Sequence, residues 1–156
     1  MINNNQHRVN RILYQVFIRP RRVINRILTT IPLSQCPQHI KDLVPIALVN
    51  RYERSTYPNR ILSVKYRKNI KTDGRQFIGC SHDEYIEYLK PLLKEDMSFD
   101  NYAYYWNIHH VIPTGSIMDN LFDYEYFMKV LHYTNTVPLT IRDHWAIHHP
   151  RYTVTS

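Results

Sequence analysis

The sequence predicts an α+β chain whose amino-terminal part is basic and helical. Three observations lead there. Apolar residues recur at helical spacing near the amino end, at Val9, Ile12, Leu13, Val16 and Phe17. Ser81 and Glu84 form an S-x-x-E capping box ahead of an apolar-periodic stretch. The run from Tyr105 to Pro113 is strand-like, and residues 139 to 149 return to a helical pattern.

Taken in order, the first helix is expected over Arg8 to Phe17, with Pro20 interrupting the pattern and a second helical piece from Arg22 to Leu28. Arg8, Arg11, Arg19, Arg21, Arg22 and Arg26 occupy positions between the apolar ones. Such an arm lays its apolar stripe on a core and offers its arginines to phosphates. Pro32, Pro37 and Pro45 divide the next stretch around one helical turn at His39 to Val44, and a further turn is expected over 47 to 53. Residues 57 to 72 interleave basic with apolar or aromatic residues. That suits an extended nucleic-acid-facing segment carrying Lys65, Arg67, Lys68 and Lys71, and it equally suits a scaffold strand. The capped helix is expected over His82 to Lys94, burying Tyr85, Leu89, Leu92 and Leu93, with an aromatic turn from Met97 to Tyr105. A helix or irregular packing segment follows over Asp123 to Leu131, and a last helix over Leu139 to His149, stopped by Pro150.

Charge divides the chain. Residues 1 to 70 carry 13 Lys/Arg against 2 acids, whereas residues 71 to 156 carry 7 against 11. A polyanion is therefore expected to be gripped by the amino-terminal half, and the predicted organisation is a basic arm over 1 to 70 followed by a domain over 71 to 156. No uninterrupted apolar stretch is long enough to span a bilayer, and the amino end lacks a secretory leader pattern; residues 8 to 28 are arginine-rich and acid-free, as organelle-targeting arms are. Cys36 and Cys80 are too few for a disulfide framework and fit thiols in a reducing compartment. Only three glycines beside 13 tyrosines, with abundant isoleucine and asparagine, suggest an AT-rich viral or organellar genome, so the expected setting is intracellular and virus- or organelle-associated, the mitochondrion included.

Chemistry concentrates near the carboxyl end, where six of nine histidines lie in the last 48 residues. His144 and His148, four apart, face the same way on a helix, as two metal ligands must. Adjacent His109 and His110 point to opposite sides of a strand, so one can bind a metal while the other does different work. A site of His109, His144 and His148 leaves an open coordination position of the kind catalytic zinc uses. His110 is then free to activate water, and Asn135 can either hold its imidazole or stabilise the turn beside it. His132 and His149 read as surface or packing residues.

Four segments carry a family resemblance: Phe77-Ile78-Gly79-Cys80-Ser81, Asp96-Met97-Ser98-Phe99-Asp100-Asn101-Tyr102, Trp106-Asn107-Ile108-His109-His110-Val111-Ile112-Pro113 and His132-Tyr133-Thr134-Asn135-Thr136-Val137-Pro138-Leu139. Over residues 70 to 149 the chain resembles the HNH homing-endonuclease-like proteins of phages, introns and large DNA viruses. The resemblance implies a ββα-metal (His-Me finger) fold, with a β-hairpin carrying His109 and His110 and a helix carrying His144 and His148. It puts His110 on the general base and Asn135 on the central asparagine, both counted as catalytic. His109 stands where these proteins usually have a metal-binding aspartate, and His144 where they have a metal-binding asparagine. Both changes turn oxygen ligands into nitrogen, which disfavours Mg²⁺ and resembles the zinc-binding branch represented by bacterial toxin nucleases. The implied cofactor is one divalent metal, zinc or another transition metal; a decayed site would bind none. Two functions compete. One is an endonuclease that hydrolyses phosphodiester bonds in DNA. The other is an inactive descendant that binds rRNA beside protein neighbours in a large assembly such as a mitochondrial ribosome.

Overall fold

The computed structural model describes residues 4–44 and 74–149. The expected turn over 47 to 53, the basic segment 57 to 72 with Lys65, Arg67, Lys68 and Lys71, and Pro150 lie outside the described residues. What is described is α+β: short helices surround one two-stranded sheet.

Helix α1 (Asn4–Phe17) turns Ile12 and Val16 fully inward. Helix α2 (Arg19–Thr30) follows after one residue and takes Pro20 in its first turn, where a missing N–H costs no helical bond. Pro20 therefore breaks the pattern by starting a helix. Beyond a 3₁₀ turn at Leu33–Gln35 and the single turn of α3 (Gln38–Lys41), the description resumes at Gly74 and α4 (Arg75–Ile78). Gly79 ends α4 in the left-handed region, at φ 83°, and a Cβ there would lie 2.6 Å from His132 Nε2, so the position requires glycine twice over.

Helix α5 (His82–Leu89) opens on the expected cap, Glu84 N–H donating to Ser81 Oγ at 3.1 Å. It ends five residues short of the expected Lys94. Pro91 has no N–H for the next helical bond, and Lys90–Leu92 tightens into a 3₁₀ turn that leaves Leu92 exposed. A 3₁₀ turn at Phe99–Asn101, closed by a Ser98/Asn101 capping box, delivers the chain to strand β1 (Trp106–His110). A longer 3₁₀ segment (Thr114–Asn120) and helix α6 (Tyr124–Leu131), capped by Asp123, fill the excursion before a short 3₁₀ turn (Tyr133–Asn135) and strand β2 (Thr136–Thr140). Thr140 then caps α7 (Ile141–His148), accepting from Asp143 N–H at 3.1 Å. The expected last helix thus loses Leu139 and Thr140 to the strand.

The strands pair antiparallel, with Trp106 opposite Thr140 and His110 opposite Thr136. Backbone bonds at Tyr105–Ile141 (3.0 Å) and Val111–Asn135 (2.9 Å) put the bonded pairs on the odd-numbered residues of β1. Pro138 faces Ile108 at a non-bonded pair, so it removes no ladder bond.

Two hydrophobic cores hold the elements together. One joins Ile24, Ile27, Leu28, Leu33 and Ile40 to Phe77, Ile117, Phe127, Val130 and Leu131. The other joins Ile12 and Val16 to Ile78, Tyr85, Leu89, Tyr102 and Trp106. Both cores mix residues from the basic and the acidic halves of the sequence, so the division at residue 70 is one of charge and not of packing. Cys36 and Cys80 are free and buried, and burial pushes the Cys80 thiol up to about 11, with Glu84 adding to it. No helix among the described residues is long and apolar enough to cross a membrane.

Candidate functional site

Strand β1 and helix α7 bring together the three histidines singled out by spacing. The ligand atoms of His109, His144 and His148 lie within 4.8 Å of one another. Ring centroids are 5.0 Å apart for His109 and His144, 4.8 Å for His144 and His148, and 6.5 Å for His109 and His148. The cap at Thr140 is the local cause of this meeting. It starts α7 immediately after the strand, so His144 and His148 arrive one turn apart beside the strand's far end.

The donor set fits a transition metal. Three imidazole nitrogens with no carboxylate among them suit zinc or a similar ion and not Mg²⁺. Tetrahedral zinc at about 2.1 Å from each nitrogen sets N···N distances near about 3.4 Å, so the widest pair must draw in by roughly 1.4 Å. His148 is exposed and free to make that rotation. Burial, then the neighbouring imidazoles, lowers the pKa values of His109 and His144 and favours the neutral form that binds metal.

His110 stands outside this triad, as alternation on a strand requires. It lines a cleft of about 380 Å³ together with Arg11, Arg19, Tyr102, Asn107 and His144. Burial first, then Arg19 and His109, pushes its pKa down to about 4, which leaves the imidazole neutral at neutral pH and makes it a weak base. Arg19 has a buried Nε without a hydrogen-bond partner, and its pKa is lowered by burial and by Arg22, with Tyr102 acting the other way.

Asn135 is reassigned by its contacts. Its Oδ1 accepts from Ile112 N–H at 2.8 Å, while Nδ2 donates to the carbonyls of Ile112 (2.9 Å) and Val130 (2.8 Å). Both amide donors are used on backbone and the residue is buried, so the side chain braces the turn after His110 instead of holding its imidazole. Of the two roles expected for it, these bonds are those of the turn brace. His132 packs over Gly79 and bonds Thr134 Oγ1 at 2.8 Å, and His149 stacks on Trp145 at 4.6 Å, both as packing or surface residues.

The six arm arginines do not act as one patch. Arg11 and Arg19 enter the His110 cleft, and Arg19 also borders a groove lined by Arg22, Arg26, Thr114 and Gly115. Arg21 instead lines a groove with Tyr14, Phe17 and His82, and Arg8 lies 5.5 Å over the ring of Tyr104. Sequence reasoning missed Tyr102, Asn107 and Ala103 as cleft residues. Ala103 adopts φ 78°, rare outside glycine, as its N–H turns back onto the Trp106 carbonyl at 2.8 Å; no local motif announces this.

No family model matches the chain. No solved structure matches it either. The chain is similar to an uncharacterized protein of Acanthamoeba polyphaga mimivirus, 30% identical over 84 residues, which cover 54% of this chain and 36% of that protein. The match thus spans about a third of the length of its relative, whose description carries no activity.

Proposed function

We propose that this chain is a metal-dependent endonuclease of the HNH type, hydrolysing phosphodiester bonds in DNA. The observation that carries the reading is the convergence of His109, His144 and His148 beside a neutral His110 in an arginine-lined cleft. In this reading the two strands and α7 are a ββα-metal unit. His109, His144 and His148 would hold a transition metal, which would supply Lewis acidity to the phosphodiester. Arg11 and Arg19 hold the phosphate in the cleft and offset its growing negative charge. His110 takes a proton from the attacking water as the oxygen bonds to phosphorus. The opposite P–O bond breaks, and the departing alkoxide collects a proton from solvent. Asn135 keeps the turn after His110 in place. The similarity to a mimivirus protein supports a viral association.

A second reading is a non-cleaving nucleic-acid-binding subunit of a ribonucleoprotein, with rRNA as partner. It is favoured by the arginine groove, which no histidine lines. One experiment separates the two: supercoiled-plasmid cleavage with added Zn²⁺, Ni²⁺, Mn²⁺ or Mg²⁺, alongside metal analysis of the same protein. Metal-dependent cutting lost in His110→Ala supports the endonuclease. Tight binding without cutting under any metal moves the function to the second reading.

A further inference from the structure

We infer that the groove bordered by Arg19, Arg22 and Arg26 is a second phosphate-binding site, which carries the nucleic-acid backbone on from the His110 cleft. The inference deepens the proposed function and rests on that reading for the polymer that fills the cleft. Residues 19, 22 and 26 are spaced i, i+3, i+7 and so share one face of α2, whereas Pro20, Ile24, Ile27 and Leu28 bury the other. Seven residues of helix rise about 10.5 Å. At about 3.4 Å of axial rise per nucleotide of one strand, that face spans about three phosphates.

Two features point to an anionic occupant. Arg19, Arg22 and Arg26 put three cations on one face, and the first turn of α2 contains no acid to pair with them. Arg19 also keeps a buried Nε unpartnered at the junction of cleft and groove. Arg22 and Arg26 are exposed, and the groove, about 110 Å³, continues past them to Thr114 and Gly115. None of the three histidines lines it, so its grip on a strand is separable from chemistry.

The test uses fluorescence anisotropy of a labelled 20-base-pair DNA duplex across a salt series, without added divalent metal. Arg22→Ala/Arg26→Ala removes two exposed cations and spares both cores. Two lost phosphate contacts make the log–log salt dependence shallower by about 1.8, about 60-fold in affinity at 0.1 M salt. Gly115→Glu is a second variant: a Cβ there meets nothing within 4 Å, so the side chain is accommodated while its charge repels the backbone. It should weaken binding as well. Unaltered affinity and salt slope in both groove variants would overturn the inference. Plasmid cleavage by the wild type, measured separately, then says whether the endonuclease reading stands without it. Weakened binding in the groove variants of a protein that never cleaves would keep the groove and remove the enzyme.

Discussion

Replacing Asn135 by alanine tests whether this residue serves the fold or the reaction. The side chain makes three hydrogen bonds of 2.8 to 2.9 Å to the backbone of Ile112 and Val130, and it is only 7% exposed. Alanine leaves the Ile112 N–H and two carbonyls without these partners at a place water reaches poorly. An orphaned buried group costs about 1–3 kcal/mol, and carbonyls with a spare lone pair sit at the low end, so the expected loss is about 3–4 kcal/mol. Against the usual 5–15 kcal/mol for a domain this is a large fraction. With a urea slope of about 2 kcal/mol per molar, the unfolding midpoint should fall by roughly 1.5–2 M. Asn135→Asp should be no milder, because it keeps the acceptor but turns an anionic oxygen toward two carbonyls. The assay is equilibrium urea unfolding followed by circular dichroism. A midpoint lowered by less than about 0.3 M would refute the brace. If cleavage were lost in such a stable variant, Asn135 would instead act on the reacting groups.

Two further outcomes follow from the site and from His39. Zinc should raise the thermal midpoint of the wild type, since an ion held at 100 times its dissociation constant adds about 2.7 kcal/mol, and exposed His148→Ala should abolish the shift while leaving the metal-free midpoint nearly unchanged; the absence of any zinc-induced shift in the wild type would refute the centre. His39 packs against Tyr124 and Phe127, with burial lowering its pKa and Asp42 opposing. The neutral native ring resists a proton that the unfolded chain accepts, so stability should be full above about pH 6.5 and fall as pH drops below it. His39→Gln should flatten that fall in paired urea titrations at pH 7.5 and 5, and identical pH dependence in both proteins would exclude the effect.

Locally encoded features were legible in the chain. Ser81 caps α5 because its hydroxyl needs only the N–H three residues on, and His144 and His148 share a face because any helix puts them there. Pro91 was also visible, and its missing N–H explains why α5 stops at Leu89 instead of Lys94. Strand β2 was harder to read. Thr136–Thr140 carries three β-branched residues but is short and interrupted by a proline, which argues against a strand in the sequence alone. The cleft was legible only in part: His110 and the arginines were singled out by type, but their meeting depends on contacts between α1, α2 and β1 that are 80 or more residues apart in sequence. Asn135 left two roles open, and only its bonds to Ile112 and Val130 select the turn brace.

The same long-range packing changes what the basic half means for function. Ile12, Val16, Ile24, Ile27 and Leu28 are all at most 1% exposed, and each covered side chain of this kind contributes about 1.5–3 kcal/mol. Together they supply on the order of 8–15 kcal/mol, comparable with the net stability of an entire domain. Helices α1 and α2 are therefore built into the two cores, α1 through Ile12 and Val16 and α2 through Ile24, Ile27 and Leu28. Removing them would uncover Tyr85, Trp106 and Phe127 and lose the fold before it lost affinity for any polymer. Arg11 and Arg19 are fixed relative to His110 by that packing, since Val16, between them in the chain, is buried in the core. Substitutions at exposed tips such as Arg22, Arg26 and His148 leave the shared cores intact, so they probe the basic groove and the histidine cluster without probing the fold.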